Sequence, residues 1–246
     1  MVELTKTGIP GVDEMIGGGI PRASVVIVSG SPGIGKSNFA LQFIYEGITK
    51  YNEPGIYLTV EDVPKNVKAY ASAFGWDLEK LEKENKLAIV AQPIYAGDES
   101  TKKGSKGSQS ETYQTGETLG EAIKRINAKR IVLDSVTLFK YLFKDDMARR
   151  VNLLNFIKQV KDAGCTTMMV AEQHESSSDI TYLDEHFLAD GLILLFWSRQ
   201  KEKHERCFRV IKQRGCKINP DIRPMDITDT GVIVYPTQVP LSLSDR

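Results

Sequence analysis

Eight consecutive residues, from Gly30 to Ser37, have the types and the spacing that bind a polyphosphate. They match the pattern G-x-x-x-x-G-K-[ST] at every fixed position. In such a loop the backbone N–H groups surround the phosphates, the lysine neutralises the β- and γ-phosphates, and the last hydroxyl coordinates Mg²⁺. We therefore expect a nucleoside triphosphate to bind this P-loop and the residue after it: Gly30, Ser31, Pro32, Gly33, Ile34, Gly35, Lys36, Ser37 and Asn38.

The segments on either side of the P-loop have the structure that this chemistry requires. Residues 25–28 (VVIV) are apolar and mostly β-branched, which is typical of a buried parallel strand. Residues 38–44 (NFALQFI) contain neither Gly nor Pro and are predicted to be helical. A strand, a glycine-rich loop and a helix in this order direct the loop amides and the helix N-terminus at the phosphates. An incidental Gly-rich turn is the alternative, and both flanking segments argue against it.

A metal-bound triphosphate also needs a carboxylate near the metal. Residues 130–134 (RIVLD) form a predicted apolar strand that ends in Asp134, which is the Walker B form. Asp134 would accept a hydrogen bond from water bound to Mg²⁺. The predicted metal site is therefore Ser37 together with Asp134, the latter through water. Capping of the following turn is the alternative role for Asp134.

A second predicted strand ends in the acidic pair Glu61 and Asp62. Because the carboxyl ends of the strands in an open α/β sheet converge on one ligand crevice, Glu61 would lie near the γ-phosphate. There it could polarise the attacking water. From the sequence alone, a surface pair that caps the next helix is almost as well supported.

Composition narrows the classes of protein to which the chain can belong. Among 246 residues, Lys+Arg and Asp+Glu both number 32, so the net charge is zero and does not favour a nucleic-acid binder. The three cysteines (Cys165, Cys207 and Cys216) have no metal-ligand spacing and are expected to be reduced thiols. No apolar run reaches membrane-spanning length, and the N-terminus has no signal-peptide core. We expect a cytoplasmic protein without membrane insertion.

Strand-like runs alternate with helical patterns, which predicts βαβ units and a parallel sheet. The last strands have only short polar links between them and are expected to extend the sheet in antiparallel fashion. Nothing marks a domain boundary, so we expect one α/β domain over residues 1–246. The predicted strands are 24–29, 55–61, 86–91, 130–134, 165–172, 191–197, 206–213 and 232–235, and the predicted helices are 37–50, 64–74, 117–128 and 147–163.

Two further expectations concern particular segments. Residues 97–116 include the polar run KKGSKGSQS and are expected to form a mobile loop. Four apolar residues of the last predicted helix recur at helical spacing and would face the sheet. They are Val151, Leu154, Ile157 and Val160.

Taken in order, these motifs resemble a known family. The chain is similar, over nearly its whole length, to the single-domain archaeal KaiC-like ATPases of the RecA superfamily. Besides the P-loop and the acidic strand ends, seven segments carry the similarity. They are 7–13 (TGIPGVD), 17–21 (GGGIP), 74–78 (FGWDL), 134–135 (DS), 212–215 (KQRG), 227–229 (ITD) and 231–236 (GVIVYP).

The resemblance implies a RecA-like three-layer sandwich that binds ATP or ADP with Mg²⁺. It also implies a homo-oligomeric ring, most often a hexamer, with ATP between the subunits. Glu172 corresponds to a residue at the end of a central strand that senses the γ-phosphate, a task that Gln173 and His174 could share. By this similarity Glu61 is the catalytic glutamate. The predicted catalytic residues are Glu61, Asp62, Lys36 and Glu172.

The resemblance further implies residues that serve a neighbouring subunit. Lys212 and Arg214, on either side of Gln213, match a K-x-R motif that reaches the neighbour's triphosphate. Positive charge there stabilises the γ-phosphoryl group in the transition state. Thr228 and Asp229 match positions near the nucleotide of the adjacent protomer. Without the family match, Lys212 and Arg214 would be better interpreted as basic residues on an exposed strand.

The chain departs from the family pattern at several positions. Asp62 replaces a second glutamate, which would slow turnover if both acids act on water. Cys216 and Ile218 replace Thr and His, so two polar contacts to the neighbour's nucleotide are in doubt. His186 and Phe187 stand where the clock protein has its phosphorylated Ser-Thr pair. A clock autokinase role is therefore not expected.

Three functions remain open at this point. The first is ATP hydrolysis at the subunit interfaces of a homo-oligomer, with nucleotide state coupled to binding of an unidentified protein partner. The second is an ATP-binding scaffold that hydrolyses little ATP. The departures from the family pattern at positions 62, 216 and 218 favour it. The third is a regulator of DNA recombination similar to RadA paralogues. The neutral charge disfavours a nucleic-acid partner, and Tyr95 and Tyr113 are the only aromatic residues near the 97–116 loop.

Overall fold

Strands and helices alternate through much of the chain in the computed structural model, which describes residues 2–59, 62–91, 118–136, 143, 145–173, 182–200 and 203–241. The strands are β1 (Leu4–Thr5), β2 (Ile20–Pro21), β3 (Val25–Gly30), β4 (Gly55–Thr59), β5 (Leu87–Ala91), β6 (Arg130–Asp134), β7 (Thr166–Glu172), β8 (Gly191–Gln200), β9 (Lys203–Gln213), β10 (Arg223–Thr228) and β11 (Gly231–Val234). The helices are α1 (Val12–Met15), α2 (Lys36–Tyr51), α3 (Pro64–Ser72), α4 (Leu78–Lys83), α5 (Leu119–Ile126), α6 (Asp146–Asp162) and α7 (Asp184–Leu188). Within these ranges, no helix has the length and apolar character needed to cross a membrane.

A mixed sheet forms the centre of the fold. In the described ranges its strands pair in the order β11-β10-β9-β8-β3-β7-β6-β4-β5. The strands from β8 to β5 run parallel, whereas β9, β10 and β11 are antiparallel to their neighbours. The predicted parallel core with an antiparallel C-terminal extension is confirmed.

Helices cover both faces of the parallel strands and give the fold three layers. Apolar residues of α2, α3 and α4 pack on one face, and those of α5 and α6 pack on the other. Successive residues of β3, from Val25 to Val28, alternate between the two cores, and all four are fully buried. Because a parallel strand is covered on both faces, it is apolar at every position. This is why the sequence predicted the P-loop strand correctly.

One ion pair joins the segment after α2 to β6. The Arg130 side chain is fully buried; its Nε donates to Glu53 Oε2 at 2.8 Å, and its Nη2 forms an ion pair with the same oxygen at 2.6 Å. Its Nη1 donates to the carbonyl of Phe43 at 3.0 Å. A Cβ at Gly47 would lie 2.2 Å from Arg130 Nε, so only glycine leaves room for the guanidinium there. Burial lowers the pKa of Arg130, and the Glu53 carboxylate opposes that effect.

The orientation of α6 differs from the prediction. Val151 and Leu154 do not face the sheet but are 44% and 43% exposed, whereas Ile157 and Val160 are buried as expected. A second set of apolar residues on α6 has the same three- and four-residue spacing and includes Phe156. This set faces the sheet instead. The buried residues of α6 are Leu153, Phe156, Ile157 and Val160.

Six of the described elements were not predicted: β1, β2, β10, α1, α4 and α7. The short helix α4 begins with Asp77 as its N-cap, which accepts a hydrogen bond from the N–H of Lys80 at 2.9 Å. Strand β10 contains Arg, Pro and Asp, which are uncommon in strands, and it forms because both of its edges pair, with β9 and with β11. The loop predicted at 97–116 lies outside the described residues.

Substitution of Glu53 by Gln removes the counter-charge of a fully buried guanidinium and should destabilise the protein by about 3 kcal/mol. Urea denaturation of the purified protein measures this change. Glu84→Gln is the matched control, because Glu84 pairs with Lys86 at the surface and its loss should leave the midpoint near that of the wild type. Equal midpoints for Glu53→Gln and wild type would contradict the structural role assigned to the pair.

Candidate nucleotide-binding site

The P-loop leaves the C-terminal end of β3 and enters α2 at Lys36. The loop closes on itself through a hydrogen bond from the N–H of Ile34 to the carbonyl of Ser31 at 3.4 Å, and the Ile34 side chain is buried. Lys36 is only 8% exposed, and its Nζ donates to the same Ser31 carbonyl at 2.8 Å. The ammonium group therefore lies over the loop rather than in open solvent.

Two glycines are required by the packing around the loop. A Cβ on Gly30 would lie 2.2 Å from the carbonyl oxygen of Leu195 on the adjacent strand. Gly35 has a φ of 110°, which strains any residue with a side chain, and its Cβ would lie 2.7 Å from Ile227 Cδ1. Packing against β8 and β10 thus makes glycine necessary at both positions.

The geometry of the loop fits a polyphosphate. Gly35 is the N-cap of α2 and provides no side-chain cap, and the first N–H groups of an α-helix have no acceptor within the helix. A Cβ on Gly33 would meet no atom within 4 Å, so the outer side of the loop is open to a ligand. Helix-terminal amides beside a lysine are the groups that bind phosphate in such loops.

Residues from α2, β4, α3 and β6 line a pocket of about 280 Å³ beside the loop. Ser37 and Asn38 come from α2, and Asp134 comes from the end of β6, opposite Thr59 on β4. The Ser37 hydroxyl and the Asp134 carboxylate are oxygen ligands of the kind that Mg²⁺ prefers. Their position in one pocket fits the metal site that the sequence predicts.

Tyr57, a residue that the sequence analysis did not single out, contacts Asp134 in this pocket. Its hydroxyl donates to Asp134 Oδ2 at 2.5 Å. Burial, and secondarily the charge of Asp134, raise the pKa of Tyr57 well above its ordinary value. The hydroxyl therefore keeps its proton and acts as a donor. In the sequence, Tyr57 is indistinguishable from any aromatic residue of a buried strand.

Asp62 lines the same pocket, but its carboxylate is engaged with α3. Asp62 Oδ1 accepts hydrogen bonds from the N–H of Val63 at 2.9 Å and from Asn66 Nδ2 at 2.6 Å. These bonds tie Asp62 to the N-terminal end of α3 but do not cap the helix, because Val63 is its N-cap and α3 has no side-chain cap hydrogen bond. Glu61 itself lies outside the described residues.

Glu172 stands at the end of β7, where it pairs in register with Gly30 at the start of the P-loop. The next residue, Gln173, accepts a hydrogen bond from Ser29 Oγ at 3.0 Å and donates its N–H to the Gly30 carbonyl at 3.1 Å. The two residues therefore lie at the edge of the sheet that carries the P-loop. His174 lies outside the described residues.

Lys212, Gln213 and Arg214 lie at the opposite edge of the sheet. Gln213 pairs with Gly191, which in turn pairs with Val26, whereas the P-loop begins four residues further along β3. At the usual rise of a strand, the separation along β3 is roughly 13 Å. These residues therefore do not reach the P-loop of their own subunit.

The two basic side chains at this edge are held by α7 and the residues after it. Lys212 Nζ donates to the carbonyl of Ala189 at 2.7 Å, and Arg214 contacts the Asp190 carboxylate at 3.5 Å and the carbonyl of Phe187 at 3.4 Å. Partial burial, and then the charge of Arg214, lower the pKa of Lys212. Arg214 remains 62% exposed and is accessible to another molecule.

Thr228 and Asp229 form the turn between β10 and β11, and Thr228 Oγ1 donates to the carbonyl of Gly231 at 2.9 Å. The preceding residue, Ile227, packs at the P-loop of the same chain. Gln42 of α2 fixes the hairpin by bonding both the N–H and the carbonyl of Val232, at 2.6 and 3.2 Å. The turn therefore lies near the P-loop of the same chain.

The remaining departures from the family pattern have structural roles. His186 is buried, and its Nδ1 accepts a hydrogen bond from the N–H of Leu183 at 3.1 Å, whereas Phe187 is exposed. Ile218 packs against the core beside α1, and Cys216 Sγ lies 3.8 Å from the carbonyl of Gly19. None of these side chains points to phosphate chemistry.

Comparison with known proteins agrees with this arrangement. The family model described as "ATPase: KaiC" matches residues 5–239. The chain is 38% identical to a UPF0273 protein of Pyrococcus furiosus, over 97% of this chain and 96% of that protein. It is 36% identical to a UPF0273 protein of Methanocaldococcus jannaschii, over 95% of this chain and 97% of that protein.

Two further similar proteins have KaiC in their descriptions. The chain is 34% identical to the circadian clock oscillator protein KaiC of Prochlorococcus marinus subsp. pastoris, over 95% of this chain but 45% of that protein. The crystal structure of a KaiC-like protein from Pyrococcus horikoshii OT3 superposes with a TM-score of 0.80 at 32% identity. That match covers 96% of this chain and 100% of the other.

Gly35→Ala should weaken the binding of a fluorescent ATP analogue by roughly tenfold or more, because the strained loop must move away from Ile227. Fluorescence titration measures the affinity. Gly75→Ala is the matched control, since Gly75 also has a positive φ but its Cβ would meet no atom within 4 Å, and it lies outside the pocket. Unchanged affinity in Gly35→Ala would show that the loop tolerates a side chain at this position.

Proposed function

We propose that this chain, which belongs to the family of KaiC ATPases, binds ATP with Mg²⁺ and hydrolyses it at the interfaces of a homo-oligomer. In this proposal the nucleotide state of the oligomer controls the binding of a protein partner. One observation carries the proposal: Ser37, the last residue of the P-loop, lines one pocket with Asp134 and Asp62. These are the parts that hold a metal-bound triphosphate.

Within one subunit, each residue has a distinct task. The amides of the P-loop and of the first turn of α2 bind the phosphates, and Lys36 neutralises their charge. Ser37 and, through water, Asp134 would hold Mg²⁺, which supplies charge neutralisation at the β- and γ-phosphates. Glu61 polarises the attacking water, and Glu172, beside the start of the P-loop, senses the γ-phosphate.

Completion of the site requires a second subunit. Lys212 and Arg214 lie at the edge of the sheet opposite to the P-loop of their own chain, and Arg214 is exposed. In a head-to-tail ring, one edge of each subunit faces the other edge of its neighbour. We therefore assign Lys212 and Arg214 to the neighbour's triphosphate and keep Thr228 and Asp229 with the subunit's own nucleotide.

A scaffold with little hydrolysis is the second candidate, and one observation favours it. Asp62 Oδ1 accepts two hydrogen bonds at the N-terminal end of α3, which restricts rotation of this carboxylate toward the attacking water. Slow turnover would follow. Tight ATP binding with phosphate release at the background rate would establish the scaffold role in place of the enzyme.

Glu61→Gln should lower phosphate release from ATP by roughly a hundredfold or more while it leaves ATP affinity close to that of the wild type, because the amide cannot accept the proton. A phosphate-release assay and a binding titration measure the two quantities. Lys36→Ala is the reference for loss of both binding and turnover. Wild-type turnover in Glu61→Gln would remove Glu61 from the mechanism.

A mixing experiment tests whether Arg214 acts in trans. Lys36→Ala and Arg214→Ala should each be inactive alone, the latter because loss of an arginine finger costs roughly a thousandfold or more. In an equimolar mixed ring, about a quarter of the interfaces would combine an intact P-loop with an intact Arg214, so activity should return.

The matched control is a mixture of Arg214→Ala with the Lys36→Ala/Arg214→Ala double variant, in which no interface is complete. Light scattering after size exclusion, with and without Mg-ATP, reports whether rings form. Rings that form but regain no activity on mixing would refute action in trans.

A further inference from the structure

The Walker B carboxylate has a fixed partner inside the protein. Tyr57 and Asp134 lie on adjacent parallel strands, and Asp134 is in register with Thr59, two residues beyond Tyr57. Tyr57 thus lies on the same face of β4 as Thr59 and reaches forward to Asp134 Oδ2, at 2.5 Å. The Tyr57 ring is 2% exposed and packs in the core on the α2 side of the sheet.

This contact leaves the two oxygens of the carboxylate unequal. The carboxylate can accept at both oxygens, whereas the protonated phenol supplies one donor. With Oδ2 bonded to Tyr57, Oδ1 is the oxygen left for water bound to the metal in the pocket that Asp134 shares with Ser37. A buried, rigid ring thereby restricts rotation of the carboxylate about its last side-chain bond.

We propose that Tyr57 is the positioning residue for Asp134, holding the carboxylate in the one orientation that serves the Mg²⁺ of a bound nucleotide. This inference rests on the proposed function of the site. Groups that orient the partners of a metal affect its affinity by about 10- to 100-fold when they are removed. A phenol that merely filled space in the core would be replaced by phenylalanine without any effect on the metal.

Tyr57→Phe should therefore raise the Mg²⁺ concentration that half-saturates the tightening of ATP-analogue binding by roughly tenfold. The affinity for the analogue in EDTA should stay within about twofold of the wild type, because Asp134 contributes only when the metal is present. Fluorescence titration of the analogue at increasing Mg²⁺ measures both, without any dependence on turnover.

Tyr45→Phe is the matched control. Tyr45 is a partly buried tyrosine on the C-terminal half of α2, where its ring stacks on Trp76 at 5.2 Å and does not line the pocket. Its Mg²⁺ dependence should equal that of the wild type. An equal loss in Tyr45→Phe and Tyr57→Phe would overturn the proposal, since it would mark a general effect of removing a hydroxyl.

A double-mutant cycle with Asp134→Asn identifies the route of the effect. If Tyr57 acts through Asp134, adding Tyr57→Phe to Asp134→Asn changes the Mg²⁺ dependence by less than about twofold. A further tenfold loss on that background would overturn the proposal.

The outcomes separate this inference from the function on which it rests. Wild-type protein that binds no ATP analogue would refute the proposed function and the role of Tyr57 with it. Wild-type protein with Mg²⁺-dependent binding that Tyr57→Phe leaves unchanged would refute only the positioning role.

Discussion

The buried pair of Arg130 and Glu53 determines how the two halves of the site face one another. Arg130 begins the strand that ends in Asp134, and Glu53 follows the helix that begins with Lys36 and Ser37. A guanidinium without access to water must have its charge paired, so it tolerates little displacement of α2 against β6. The P-loop helix and the Walker B strand are therefore joined at the edge of the sheet remote from the nucleotide.

The parallel sheet then separates the functional residues into two groups. Residues after the C-terminal ends of β3, β6 and β7 gather at the P-loop edge, as is general for open α/β sheets. Because β9 runs antiparallel to β8, Lys212 and Arg214 lie at the opposite edge. The antiparallel extension thus gives the chain a P-loop edge and a basic edge. In the homo-oligomer that we propose, these two edges would meet.

The two acidic residues that line the pocket, Asp134 and Asp62, are bonded to different partners. Asp134 is held by a tyrosine and remains available at one oxygen, whereas Asp62 is held by the helix that it precedes. Two carboxylates that are similar in sequence, each after an apolar strand, thereby differ in chemistry. The difference arises from the neighbouring donors and not from the acids themselves.

The amino-acid sequence was sufficient for the P-loop, for the strand that ends in Asp134 and for the α/β class, because these depend on local patterns: β-branched runs, glycine spacing and an acid at a strand end. It was insufficient for the orientation of α6, because two sets of apolar residues on this helix have the same spacing. In the structure Phe156 is buried and Val151 is exposed. Strand β10, the place of Thr228 beside its own P-loop, and the bond from Tyr57 to Asp134 also came only from the tertiary structure. Each depends on residues far apart in the chain, whose contact is decided by sheet register and burial.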